Sequence, residues 1–264
     1  MSMSYCPLFS GSSGNAAIIG TEKTRILIDA GLTGRALQSA LNQISVDPCS
    51  IQAILITHEH SDHVRGAGIL SRKFGIPIYA NSKTWVAMQK SVGVISPQNV
   101  RVFETGRDFY LGDCNITPYS LPHDAADPVG FSFYHKGHKI SQMTDLGHVP
   151  KDLYDMVGDS DIILIESNHD IEKLANSARP AALKRRIRSK KGHLSNEDSA
   201  EACVKLAEMG CRRFILGHMS AEANTPRLAF EANSGILAQA GFVQKENVEI
   251  YLAYRDRACG IFRL

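Results

Sequence analysis

Short apolar runs rich in β-branched residues alternate along the chain with stretches whose apolar positions recur at helical spacing. Ala16–Ile19 and Arg25–Asp29 read as two strands joined by a turn over Gly20–Lys23. Between Thr33 and Ile44, apolar Ala36, Leu37, Ala40, Leu41 and Ile44 repeat every three to four residues and predict a helix. Ala53–Ile56 is wholly apolar and predicts a buried strand running into His58. Val64–Phe74 has helical spacing and stops at Gly75, a natural C-terminal cap. From Arg101 to Asp145 the pattern is strand-like, with Phe131–Tyr134 and Lys139–Met143 flanking a turn at Lys136–His138. Asp161–Ile165 repeats the buried-strand pattern, and Ser195-Asn196-Glu197-Asp198 is a capping box opening a helix to about Met209. Phe214–Leu216, a helix from about Thr225 to Ala240, and strands over Val248–Ala253 and Ala258–Phe262 complete the series. The strands come in antiparallel-looking sets with helices outside, so the simplest architecture is sheet packed on sheet, flanked by helices. No low-complexity linker or internal repeat divides the chain, which predicts one domain over residues 1–264.

Composition sets limits. With 264 residues, 44% of them hydrophobic and 21% charged, the chain can build a core, and disorder is excluded. The balance of 29 basic against 27 acidic side chains says nothing in total about a partner. Six scattered cysteines without a CxxC pair fit reduced thiols rather than a disulfide scaffold. Met1–Cys6 lacks the features of a signal peptide, and no apolar run nears the roughly 18 to 20 residues of a membrane span. The expected location is the cytoplasm.

Candidate chemistry concentrates in Thr57-His58-Glu59-His60-Ser61-Asp62-His63, directly after a predicted buried strand. His58 and His60, two apart in extended backbone, point to one side, while Asp62 and His63 fall where the next helix begins. Imidazole and carboxylate together suit zinc and neighbouring first-row metals. The segment resembles the H-x-H-x-D-H signature of the metallo-β-lactamase-fold superfamily. Four further positions match that pattern in order: Asp29 in Leu27-Ile28-Asp29-Ala30-Gly31, His123 in Leu121-Pro122-His123-Asp124, Asp145 in Met143-Thr144-Asp145-Leu146-Gly147, and His218 in Leu216-Gly217-His218-Met219.

The resemblance implies an α+β metallo-β-lactamase fold, a four-layer αββα sandwich of two central sheets flanked by helices. It also implies two divalent metal ions, zinc or manganese, with iron as a further option. His58, His60 and His123 would hold one, Asp62, His63 and His218 the other, and Asp145 would bridge them. Asp29 would orient ligands through hydrogen bonds, and Asp62 would serve the catalytic step as well as a metal. No matched position offers a cysteine ligand, and Asp/His sets with a bridging carboxylate suit phosphodiester chemistry.

Three further features point towards phosphoester substrates, although each alone also fits an ordinary surface role. His193, in Gly192-His193-Leu194-Ser195, precedes the capped helix, where the phosphodiesterase branch carries an extra histidine that aids catalysis. Lys184-Arg185-Arg186-Ile187-Arg188-Ser189-Lys190-Lys191 has six basic residues in eight, so the positive charge is local, and Lys184, Arg185, Arg186 and Arg188 become candidate phosphate contacts. Ser12, Ser13 and Asn15 lie in a Gly/Ser turn whose backbone N–H groups can approach a phosphate. His169 follows a predicted strand and is a candidate for the rim of the site.

Gly11–Asn15, His123–Ala126, Glu166–Asp170 and Gly192–Asn196 together resemble the WalJ (YycJ-like) subgroup over nearly the whole chain. That resemblance implies a bacterial cytoplasmic 5′-to-3′ exonuclease with DNA as substrate, RNA as an option, and a metal-bridging hydroxide as nucleophile. No membrane is implied, and no protein partner is indicated. The segment 76–110 matches no motif. A small-molecule (cyclic) phosphodiesterase and a non-catalytic metal-binding regulator are the alternatives.

Overall fold

The computed structural model describes residues 3–264. In chain order the elements are β1 (Met3–Phe9), β2 (Ala16–Thr21), β3 (Arg25–Ile28), α1 (Gly34–Gln43), β4 (Ala53–Leu55), α2 (Ser61–Val64), α3 (Ala67–Phe74), β5 (Ile78–Ala80) and α4 (Ser82–Val92). Next come β6 (Val100–Val102), β7 (Phe109–Leu111), β8 (Cys114–Ser120), β9 (Val129–His135), β10 (His138–Met143), α5 (Lys151–Val157), β11 (Ile162–Glu166), α6 (Ile171–Asn176) and α7 (Ala181–Ile187). The chain ends with α8 (Asn196–Glu208), β12 (Arg213–Gly217), α9 (Pro226–Gln239), β13 (Glu249–Leu252) and β14 (Phe262–Arg263). These fall into two compact units. The first holds the chain up to Ser120, Ala125–His138 and Tyr254–Leu264; the second holds Leu121–Asp124 and Lys139–Ala253.

In the first unit a mixed sheet runs β14-β1-β2-β3-β4-β5-β6. Its register aligns Ile18 with Leu27, Leu27 with Ile54, and Ile54 with Ile78, giving one apolar row across four strands. That row packs with Leu37 and Leu41 of α1, Leu70 of α3 and Met88 of α4 in one core. Each such side chain contributes about 1.5–3 kcal/mol by leaving water, and slipping one strand by a residue would turn its part of the row outward. Strands β7, β8 and β9 form an antiparallel meander in the same unit.

The expected antiparallel pairing holds from β1 to β3, but the sheet then changes direction: β3 to β6 are parallel. The reason is visible in Ile26-Leu27-Ile28 and Ala53-Ile54-Leu55, apolar on both faces, with helices supplying the crossovers that parallel strands need. In the second unit β10, β11, β12 and β13 are likewise all parallel.

The single helix expected over 64–74 is interrupted. Gly66 N–H donates to the Ala30 carbonyl at 2.7 Å, and a Cβ at Gly66 would lie 2.4 Å from the Leu32 carbonyl oxygen. The turn after β3 therefore crosses directly over residue 66 and separates α2 from α3. Helix α3 does end at Gly75, in the left-handed conformation with φ +71°. The capping box opens α8 with both reciprocal bonds formed, whereas the strand expected over Ala258–Phe262 is replaced by the two-residue Phe262–Arg263, sharing only Phe262. The unmatched segment 76–110 supplies β5, β6, β7 and α4, the last capped by the Asn81 side chain. Among the described residues no helix is long and apolar enough to cross a membrane.

Candidate metal centre

In the first unit the chemistry gathers beyond the ends of β3 and β4. Asp29 is fully buried, and its carboxylate accepts from Thr57 N–H at 2.9 Å, Thr57 Oγ1–H at 2.9 Å and His63 Nδ1–H at 2.8 Å. Three donors offset the cost of burying that charge. With the proton of His63 held on Nδ1, its Nε2 carries the lone pair, and Asn15 Nδ2 lies 3.0 Å from that atom. Asp62 Oδ2 lies 3.7 Å from the same nitrogen. His58 Nδ1 meets Thr57 Oγ1 at 3.0 Å, and His58 Nε2 lies 3.0 Å from His60 Nδ1. The 58–63 segment thus brings His58, His60, Asp62 and His63 together, with Asp29 beneath. Gly31 makes this possible, because a Cβ there would fall 1.6 Å from the Asp62 carbonyl oxygen.

In the second unit the adjacent parallel strands β10, β11 and β12 deliver Asp145, Glu166 and His218 at their C-terminal ends. Ligand-capable atoms of Asp145, Glu166, His193 and His218 all lie within 4.8 Å of one another. Glu166, fully buried, accepts from His218 Nδ1–H at 2.7 Å and His193 Nδ1–H at 2.8 Å through the same Oε1. Its Oε2 accepts the Leu146 and Leu194 N–H groups at 3.1 and 3.3 Å. Burial alone would raise the Glu166 pKa, but His193 and His218 hold it down to about 2. His123 donates from Nδ1 to the Gly192 carbonyl at 3.1 Å, and burial pushes its pKa down. Asp145 Oδ1 is 3.7 Å from His123 Nε2 and 3.2 Å from His218 Nδ1.

These donor sets fit divalent metal ions. His63, His123 and His218 each have Nδ1 tied to a carboxylate or carbonyl, which fixes the neutral tautomer with Nε2 as the ligand atom. The backbone agrees. Asp29, Asp145 and His218 all sit in the left-handed region, at φ +58°, +63° and +52°. Such conformations cost of order 1–3 kcal/mol each and collect where function needs a side chain aimed.

Glu166 is the functional residue that the sequence pattern leaves unassigned. Its signal is nonetheless present: a carboxylate ending the otherwise apolar buried run Ile162-Ile163-Leu164-Ile165. Among the candidate substrate contacts, Asn15 is 5% exposed and engaged with the His63 ligand set, while Ser12 and Ser13 are exposed. His169, expected at a rim, is 2% exposed, its backbone bridges to Ser195, and burial lowers its pKa to about 4. Lys184 donates to the Ala175 carbonyl, Arg186 pairs with Asp124, and Arg185 and Arg188 are exposed.

A family model described as the beta-lactamase superfamily domain matches residues 24–219. Exodeoxyribonuclease YycJ of Bacillus anthracis is 36% identical over 251 residues, covering 95% of this chain and 95% of its own. Exodeoxyribonuclease WalJ of Streptococcus pneumoniae serotype 2 is 40% identical over 256 residues, covering 96% of this chain and 95% of its own. Among solved structures, the metallo-β-lactamase fold protein YhfI of Bacillus subtilis is similar with a TM-score of 0.75 over 98% of each chain, at 14% identity. The matched residues include Asp29, the 58–63 segment, His123, Asp145, Glu166, His193 and His218, and the chain belongs to the beta-lactamase superfamily, with the metallo-β-lactamase fold of two mixed sheets flanked by helices.

Proposed function

We propose that this chain is a metal-dependent phosphodiesterase that degrades DNA as a 5′-to-3′ exonuclease, acting as one hydrolase domain over residues 1–264. The observation that carries the chemistry is Glu166, whose single oxygen holds both the ligand candidate His218 and His193, a histidine the ligand set does not need. The naming of relatives 36–40% identical over about 95% of the chain as exodeoxyribonucleases supports DNA as the substrate. RNA is the second polymer to test.

His58, His60, Asp62 and His63 in the first unit, and His123, Asp145 and His218 in the second, would be the ligands of divalent metal ions. Zinc or manganese suits these ligands, and iron is compatible. When bound, the ions supply Lewis acidity at a phosphoryl oxygen and a nucleophile derived from water at neutral pH. The rest falls to the protein. Asp29 keeps the His63 proton on Nδ1, and Asp62 holds its carboxylate beside the His63 ligand atom. Glu166 fixes the His193 ring through Nδ1, so Nε2 is the atom presented to the leaving oxygen, which needs a proton as the P–O bond breaks. Arg185 and Arg188, exposed on and after α7, suit the flanking phosphates, and Ser12 and Ser13 offer hydroxyls and backbone N–H groups. All six cysteines are thiols, which fits a cytoplasmic location.

His193→Ala tests the assignment. Metal content by elemental analysis should stay at the wild-type level while DNA hydrolysis drops by about 10²–10⁴-fold, the usual yield of a positioned acid. Loss of metal together with rate would make His193 a ligand and remove the acid.

A further inference from the structure

The ion pair between Arg186 and Asp124 has a geometry that the catalytic assignment does not use. Arg186 Nε meets Asp124 Oδ2 at 2.5 Å and Nη2 meets Oδ1 at 2.9 Å, a two-pronged contact of guanidinium on carboxylate. Asp124 directly follows His123 in the chain, and its Oδ1 lies 3.4 Å from His123 Nε2. Arg186 belongs to the basic strip, on α7. One strip cation therefore reaches the edge of the metal-ligand cluster, and there it grips a carboxylate.

Stability does not account for the pair. Both side chains remain substantially exposed, at 46% and 34%, and ion pairs this wet add little to folding. The His123 loop is already fixed without them, by Gly147 N–H to the Pro122 carbonyl at 3.0 Å and by His123 Nδ1–H to the Gly192 carbonyl at 3.1 Å. A guanidinium fork accepts a carboxylate or a phosphate in the same bidentate manner. Water access to both partners allows one anion to replace the other. The strip's other contacts differ in kind, since Lys184 is committed to a backbone carbonyl.

We propose that Asp124 is a built-in competitor for a substrate phosphate: it holds Arg186 in receiving geometry beside His123 and yields it when a phosphate of the DNA strand arrives. This rests on the nuclease reading and adds a specificity-determining residue to it. Asp124 lowers affinity for weakly matched anions, because any ligand must displace a carboxylate before it gains the guanidinium. The pair acts on binding through Arg186, and because Asp124 Oδ1 also lies 3.4 Å from His123 Nε2, metal content is read beside KM.

The test is a double-mutant cycle in the full-length, metal-loaded protein: kcat and KM on 5′-labelled DNA for wild type, Asp124→Asn, Arg186→Gln and the double variant, with metal content measured for each. Asp124→Asn should lower KM about threefold or more. Arg186→Gln should raise it by about tenfold, the size of one charge-assisted contact. The double variant should match Arg186→Gln in KM at equal metal content, since Asp124 reaches the substrate phosphate through that arginine. A structural clamp on the His123 loop would instead move both single variants the same way and weaken metal retention in both, and that result overturns the proposal. So does a KM gain for Asp124→Asn that survives without Arg186. If the wild type cuts no DNA, the nuclease reading fails separately and inorganic phosphate becomes the probe. Tighter phosphate binding by Asp124→Asn and weaker binding by Arg186→Gln in calorimetry would still uphold the pair, and equal affinities in all four proteins would sink it.

Discussion

Asp29 and Glu166 are fully buried carboxylates, and each spends its charge on holding an imidazole proton. Their substitution should therefore separate metal affinity from rate. Asp29→Asn keeps the shape but loses the charge that orients His63, so metal affinity should fall about 10–100-fold with most of the activity restored at saturating metal. Glu166→Gln reaches both His218 and His193. At saturating metal its remaining rate loss should equal that of His193→Ala, and the double variant should be no worse than His193→Ala, because both remove one unit. Additive losses would show that Glu166 acts on the reaction by another route. The uneven legibility of the site has a physical cause. Histidines at two- and three-residue spacing announce themselves, whereas Glu166 stands alone at the end of an apolar strand and acquires two imidazole partners only when His193 and His218 fold onto it.

At the scale of elements, α8 carries a prediction of its own. Ser195 caps it by accepting from Asp198 N–H at 3.0 Å while Asp198 reaches back to the Ser195 N–H at 3.3 Å. Ser195→Ala should cost about 1 kcal/mol, read as a fall of about 2–4 °C in Tm for a chain of this size. An unchanged Tm would mean that α8 is held by packing alone. The helix was legible because capping chemistry is local. The same holds for the stop of α3 at Gly75, whereas α1 was legible from its apolar spacing and its cap, Thr33 accepting from Ala36 N–H, emerges in the structure. Strand direction was not legible in this way. Ile26–Ile28 and Ala53–Leu55, apolar on both faces, suit a parallel sheet, but runs this short also fit a buried antiparallel pair, and the helical crossovers decide it. Nor was the break at Gly66 visible, since it depends on the distant Ala30–Leu32 turn taking the Gly66 N–H and occupying the space of a side chain.

For the whole molecule, a net charge of +2 conceals six basic residues between Lys184 and Lys191, where Lys184 is tied to a carbonyl and Arg186 to Asp124. Reversing Arg185 and Arg188 to Glu should raise KM for DNA and flatten its dependence on salt, while hydrolysis of a small chromogenic phosphodiester stays unchanged. Equal effects on both substrates would place the strip in the catalytic reaction rather than along the strand. The central claim is that the clustered histidines and carboxylates serve 5′-to-3′ hydrolysis of DNA. The most direct measurement is digestion of DNA labelled at the 5′ or the 3′ end, with the apo-protein and with zinc or manganese restored. The expected result is early release of the 5′ label as mononucleotide or short product, a 3′-labelled strand that shortens progressively, and no cleavage in the apo-protein. Metal-independent cleavage, or a 5′-labelled strand that shortens while the 3′ label is released first, would contradict it.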